Sequence, residues 1–362
     1  MSMQRIAVIG GGIAGLTVAL RRAQLGDQIS LFEANARLGG QLSTHTEDGF
    51  VVEHGAEGFV ARSEAVPPLA GEAGIADQVV EQLEQRSFRF DGQGLVELLP
   101  GEAGRLLGFQ VPADDLGRGI HSFWQGMGEL PAQLERTLSA RVEIHLQRSI
   151  ERIAPSPSGV IVLDAHGQSL DFDAAIVATT APSAARLLGD AFGPSASALR
   201  EAPLLSSLTV SLAYRRAAIA HPLDGTGFIV PEPEQLGGVR AVSFSSSKLP
   251  NRAPTDHALL RLFFRPSEHD LLTLSDSAWS ERAERALSLA LPVHGPAQRA
   301  FVSRWPNALP VFDPAQRARV TALEAALSGQ PIWLAGAAFH GSGIDAAIRS
   351  GERAALAIAS RG

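Results

Sequence analysis

The sequence predicts an α/β protein carrying a second, α+β domain, and three observations support that class. The stretch Ile6 to Gly15 reads Ile-Ala-Val-Ile-Gly-Gly-Gly-Ile-Ala-Gly: an apolar run suited to a buried parallel strand, then glycines on the Gly-x-Gly-x-x-Gly spacing. An amphipathic helix over Ile13 to Leu25, ended by Gly26, and an apolar strand over Ile29 to Phe32 complete the opening of a Rossmann-like unit. Farther on, Ser206 to Tyr214 alternates, with Leu208, Val210, Leu212 and Tyr214 on one face. Gly227 to Val230, Val239 to Phe244 and Ala258 to Phe264 read as more strands of the same antiparallel-rich second sheet. A chain of 362 residues has room for both domains.

The glycine spacing has a physical reason. Gly10 lets the chain turn sharply after the strand, Gly12 has no side chain to hold a pyrophosphate off, and Gly15 lets helix and sheet pack closely. Phosphates would then meet the free N–H groups of the first turn, at Ile13 and Ala14, on the positive end of the helix dipole. Glu33 closes the second strand where an acid accepts both ribose hydroxyls, which disfavours a 2′-phosphate. Net charge is −7 and no basic stripe stands out, so no nucleic-acid partner is expected. The absence of cysteine excludes disulfides, thiolate metal sites and thiol redox chemistry, and no metal site is expected. Lys248 is the only lysine. No run of eighteen apolar residues occurs, and the N-terminal apolar stretch reads as the nucleotide strand, not a signal peptide; a cytoplasmic protein is expected.

After Glu33 comes Ala34-Asn35-Ala36-Arg37-Leu38-Gly39-Gly40-Gln41-Leu42-Ser43. Many FAD oxidoreductases carry a similar extension: Arg37 would add positive charge near the pyrophosphate, and Gly39-Gly40 would let backbone approach it. Gln41 stands where most of that group has a second base. The loop Gly55-Ala56-Glu57-Gly58-Phe59 follows a short strand, Phe50 to Val52. With it the chain resembles the protoporphyrinogen or coproporphyrinogen oxidase family of the FAD-dependent amine oxidase superfamily, where the loop typically reads Gly-Pro-Glu-Ser-Phe. The resemblance implies that Gly55, Ala56 and Glu57 pass over the cofactor.

Other segments carry the same resemblance. Arg86 corresponds to an arginine that meets a substrate propionate in that family; the alternative is a strand-edge arginine in water. Ile150-Glu151-Arg152-Ile153 ends a strand expected over Val142 to Ile153, and the Ile150 backbone would meet the adenine. Ala174 to Ala178 reads as a buried strand whose end, with Thr179, would abut the cofactor. Ser245 to Pro254, which includes Lys248, is close to the family pattern. Trp305 in Arg304-Trp305-x-x-Ala308-Leu309-Pro310 packs beside the flavin or fills core. Gly336, Ser342, Gly343 and Ile344 belong to a second flavin stretch, a glycine turn feeding a helix N-terminus. His54 and His340 read as junction or loop histidines. Helices are expected over Ser63 to Asp77, over Leu130 to Leu138, from an Asp276 cap to Leu291, and from Asp313-Pro314 onward.

The main departure is Pro100 to Ser122. The family usually inserts a helical region of domain size there, which forms much of the cleft and, in many members, the membrane-facing surface. Here a short loop punctuated by Gly101, Gly104, Gly108, Pro112, Gly117 and Gly119 replaces it, so the chain resembles a shortened member. Because the flavin stretches lie near opposite ends, the cofactor domain is expected to be discontinuous, residues 1–78, 140–205 and 295–362, with 79–139 and 206–294 forming the substrate domain. The implied function is FAD-dependent oxidation of a small molecule, with a tetrapyrrole among the candidates and oxygen or a quinone as acceptor. A small amine or dihydronicotinamide oxidase and a non-catalytic flavin-binding protein are the alternatives. No catalytic residue is singled out, since hydride transfer to flavin can run on alignment and water exclusion.

Overall fold

The glycine motif lies at the end of the central strand of an open parallel sheet. The strand order is Val142–His145, Gln28–Phe32, Arg5–Ile9, Ala174–Val177, Ile332–Leu334. Neighbours are all parallel: Ile9 pairs with Phe32 on one side and Val177 on the other. The structure, a computed structural model, describes residues 3–108 and 117–359. Part of the shortened segment, including Pro112, therefore lies outside the described residues. One sheet face is covered by helices Ile13–Gln24, Val66–Glu72, Glu129–Leu138 and Ile344–Ala359 around Val8, Leu16, Leu31 and Ile348. Ala181–Ser197 and Pro314–Leu327 cover the other, together with the antiparallel strands Ile150–Ser156, Gly159–Asp164 and Ser169–Phe172.

The second sheet has seven strands, in the order Arg299–Pro310, Leu204–Arg215, His257–Phe264, Val239–Ser243, Gly227–Ile229, Phe88–Phe90, Leu95–Glu97. Only the pairing of Gly227–Ile229 with Phe88–Phe90 is parallel. Alternating residues Leu208, Val210, Leu212 and Tyr214 face helix Asp276–Ala290, whose Trp279 sits edge-on to Phe264 at 5.2 Å. Burying such a ring stabilises by roughly 2–3 kcal/mol.

Four expectations need correction. Arg299–Pro310 pairs with Leu204–Arg215, so it belongs to this sheet and not, as the boundary at residue 295 implied, to the cofactor domain. Val142 to Ile153 is not one strand. Gln147 adopts a left-handed conformation (φ +54°), its N–H donates to Asn35 O and that of Arg148 to Glu33 O, and the chain leaves one sheet for another. The helix expected over Ser63 to Asp77 is only Val66–Glu72, because Gly74 turns the chain at φ +75°. Ser275, not Asp276, caps the later helix: its side chain accepts from Ala278 N–H, and Asp276 instead pairs with Arg304.

Candidate functional site

The three motif glycines have different neighbours. A Cβ on Gly10, which sits at φ +108°, would collide with the Ala178 carbonyl, and one on Gly15 with the Gly10 carbonyl. Both are therefore required by the fold itself. A Cβ on Gly12 would meet nothing within 4 Å. No packing within the protein explains that glycine; an external group lying against the backbone does. Gly12 is also the N-cap of helix Ile13–Gln24, and no side chain caps it, which leaves first-turn N–H groups such as those of Ile13 and Ala14 to an anion.

A second wall faces this cradle. Gly39 N–H donates to Gly11 O at 2.8 Å, and Gly40 comes so near that a Cβ there would lie 3.4 Å from the Gly12 Cα. Arg37 braces the wall by donating to Leu38 O (3.0 Å) and Gly40 O (2.8 Å). Burial pulls its pKa down from the usual arginine value. Leu42 is buried, and its N–H donates to Gly39 O. Gln41 donates to Ala308 O, and its carbonyl lies where a side chain on Gly55 would have to go. Ala56 N–H points to the same carbonyl at 3.4 Å.

Glu33 Oε2 accepts from Gly11 N–H at 2.8 Å, and Oε1 accepts from the backbone and side chain of Asn35. A carboxylate has about four acceptor positions, so capacity remains for ribose hydroxyls. Ala178 N–H donates to Ile9 O, and Thr179 Cγ2 would stand 3.3 Å from a Cβ on Gly10, so both residues lie beside the motif. The other chain end closes over the same place. Gly336 (φ +113°) would bring a Cβ to 3.5 Å from Ala14 Cβ, and Gly351 one to 2.6 Å from Ala14 O. Helix Ile344–Ala359, entered through Ser342 and Gly343 (φ +103°), thus crosses the first helix at Ala14.

The other residues have partners within the protein. His340 is no loop histidine in water: Nδ1 lies 2.6 Å from Ser350 Oγ and Nε2 2.8 Å from Glu324, while Ser350 Oγ accepts from Gly336 N–H. Trp305 Nε1 donates to His54 O at 2.6 Å, so its polar edge braces the loop before Gly55. Arg186 donates to Ile150 O at 3.0 Å. The Glu57 side chain turns into a buried cluster with Lys248 (3.0 Å), Ser243 and Arg261. Burial alone would raise its pKa, but Lys248 and Arg261 outweigh that and hold it at about 2. Arg86 is not brought to the cradle. It is exposed at the sheet edge opposite Trp305, hydrogen-bonded to Glu97 and paired with Asp224, and the Glu97 bond first and then both acids raise its pKa.

Sequence reading assigned no role to Glu53, Arg252 or Arg261. One signal was available: Arg261 interrupts the apolar run Ala258 to Phe264, where a lone charge on a buried strand demands partners.

A glycine cradle at a helix N-terminus, an acid closing the second strand and a second glycine turn folded over both define a dinucleotide-binding oxidoreductase. Residues 89–359 match the model of the flavin containing amine oxidoreductase family, and residues 8–72 that of an NAD(P)-binding Rossmann-like domain. The chain belongs to the flavin containing amine oxidoreductase family, and it is an FAD-dependent oxidoreductase resembling porphyrinogen oxidases. It is 22% identical over 460 aligned positions to coproporphyrinogen III oxidase of Bacillus subtilis, covering 97% of each chain. The coproporphyrinogen III oxidase of Mycobacterium bovis is 25% identical over 450 positions, covering 99% of this chain and 98% of that one. The provisionally named protoporphyrinogen oxidase of Exiguobacterium sp. 255-15 superposes with a TM-score of 0.82 at 23% identity over the full length of both. At least 98 of the 460 positions, the excess over 362, hold no residue of this chain, a deficit of domain size. Among the described residues no helix is long and apolar enough to cross a membrane.

Proposed function

We propose that the protein oxidises a porphyrinogen, a carboxylated reduced tetrapyrrole, as a cytoplasmic enzyme. The observation that carries this reading is the end-to-end similarity to two coproporphyrinogen III oxidases. When bound, FAD would supply a two-electron acceptor for a hydride from a bridge carbon as a pyrrole N–H proton leaves to solvent, and oxygen would be the final acceptor of the two electrons and two protons, as hydrogen peroxide. The chain's own residues bind and orient. Gly12, Ile13, Ala14, Gly39 and Gly40 seat the pyrophosphate, with Arg37 stiffening the wall, and Glu33 holds the ribose. The loop from Gly55, Ala178, Thr179 and the turn at Gly336, Ser342, Gly343 and Ile344 enclose the rest. In the division of labour proposed here, the parallel-sheet domain holds FAD and the seven-stranded sheet shapes the donor site. Arg86 would hold a propionate by releasing Glu97 or Asp224, an exchange between carboxylates that keeps the guanidinium paired.

The smaller chain supports a second reading, oxidation of a small amine or dihydronicotinamide, because a deficit of at least 98 aligned positions leaves less protein to enclose a macrocycle. The test is anaerobic reduction of the FAD-loaded protein by coproporphyrinogen, protoporphyrinogen, a panel of amines and NADH. Rapid bleaching by a porphyrinogen is expected; bleaching by an amine or NADH alone would favour the second reading, and no bleaching by any donor would refute both.

A further inference from the structure

Between strands Phe50–Glu53 and His257–Phe264 lies a small cavity with about 10 Å³ for the centre of a water molecule. Its polar lining is Glu53, Glu57, Ser211, Ser245, Arg252 and Arg261. Arg252 and Arg261 are each 2% exposed, yet Arg261 Nε and Nη1 and Arg252 Nε have no hydrogen-bond partner. The facing acids stand just too far away. Arg261 Nη1 is 3.7 Å from Glu57 Oε1, whereas Arg252 Nη2, 4.0 Å from Glu53 Oε1, already donates to Ser122 Oγ and Phe123 O. The gap at Arg261 exceeds a hydrogen bond, and a water beside the pair can accept from the unpartnered N–H and donate to the carboxylate. About 10–15 Å³ of such space admits one water, and a buried water usually makes two to four hydrogen bonds. The cavity meets both conditions, and it is too small for a larger ligand.

The same arginine reaches the cofactor side. Arg261 Nη2 donates to His54 O (3.1 Å), Gly55 O (2.8 Å) and Thr209 Oγ1 (3.3 Å). The loop it holds packs on Gln41, the residue next to the Gly39–Gly40 wall of the cradle. At the loop's far end Glu57 is pinned by Lys248, the only lysine of the chain. We propose that Lys248, Arg261 and one internal water in this cavity form a clamp that positions loop 54–57 from the substrate sheet and so sets the shape of the FAD site. Lys248 and Arg261 are positioning residues here; neither needs to touch the donor. The inference does not depend on which donor is oxidised.

Two experiments test it. A crystal structure of the FAD-loaded protein should show one ordered water within hydrogen-bond reach of Arg261; an empty cavity there would overturn the water. The clamp is tested by Lys248→Met and Lys248→Arg, measuring FAD dissociation and the fine structure of the bound flavin absorption band. Loss of the pair should weaken FAD binding about tenfold and blur the band, as expected when a coupling contact is cut. Lys248→Arg, which keeps the charge, should restore both. A merely structural role would lower the melting temperature and leave affinity and band shape unchanged in the folded fraction. That outcome, or equal loss in both variants, would overturn the clamp. If Lys248→Met does not fold, Lys248→Arg against wild type and the water density still decide.

Discussion

Glu53→Gln should make the protein more stable at alkaline pH and leave it nearly unchanged in mild acid. Glu53 is buried at the end of strand Phe50–Glu53, where Oε1 accepts from Met127 N–H (2.8 Å) and Oε2 from the Thr44 hydroxyl (2.7 Å). Burial raises its pKa to about 7; those two bonds, with Arg252 and Arg261, oppose the rise without cancelling it. The ordinary value is 4.5. A carboxyl group raised on folding binds its proton more tightly in the native state. Its contribution is therefore fully present below the unfolded value and is lost as pH climbs from 4.5 through about 7. At about 1.4 kcal/mol per unit the loss reaches about 3 kcal/mol. A glutamine keeps the shape and an acceptor for Met127 but does not titrate. With roughly 2.1 cal/mol/K of unfolding entropy per residue, the melting temperature of Glu53→Gln should exceed that of wild type by about 4 °C at alkaline pH. Thermal denaturation of both proteins from about pH 5 to about pH 8.5 measures the gap. A difference that does not change with pH would refute the reasoning.

Glu57 should behave in the opposite sense. Held at about 2, it contributes stability above 4.5 that is lost as pH falls from 4.5 toward 2, and wild type should lose stability relative to Glu57→Gln over that acid window in urea titrations. Gly12→Val should fold with normal circular dichroism and bind no FAD, because only an external group occupies that space; Gly15→Val should fail to reach normal stability, because its side chain strikes the Gly10 carbonyl. FAD bound at full stoichiometry by Gly12→Val would contradict the cradle. Arg86→Ala should raise KM for a carboxylated donor and leave FAD content unchanged; unaltered kinetics would remove Arg86 from the donor site. His340→Ala cuts the link from Glu324 to Ser350 behind Gly336, and should cost about 1–2 kcal/mol in denaturant melts.

What could be read in the chain was local. The first strand, Gly10, Gly12, Gly15 and Glu33 lie within about thirty residues, and their roles follow from spacing and turn geometry. Alternation in Leu208 to Tyr214 likewise revealed a strand, although the fold buries both of its faces. The clamp was illegible because its partners meet only through tertiary folding. Lys248 and Glu57 are 191 residues apart, and Arg261 and Gly55 are 206 apart. Gln147 carries no glycine-like signature, so the break in Val142 to Ile153 gave no warning. Ser275 and Asp276 are both good caps, and only the Arg304 pairing of Asp276 decides between them. Arg299–Pro310 mixes exposed and half-buried positions, so its pattern does not say which sheet it joins.

The crossing of the first and last helices at Ala14 also bears on how the protein is made. Gly351 is synthesised 337 residues after Ala14. A nascent chain emerging in order has the glycine motif outside the ribosome long before the piece that closes over it exists. FAD capture should therefore wait until Gly351 has emerged, and until then the first helix keeps the face later covered by Ile348 open to chaperones.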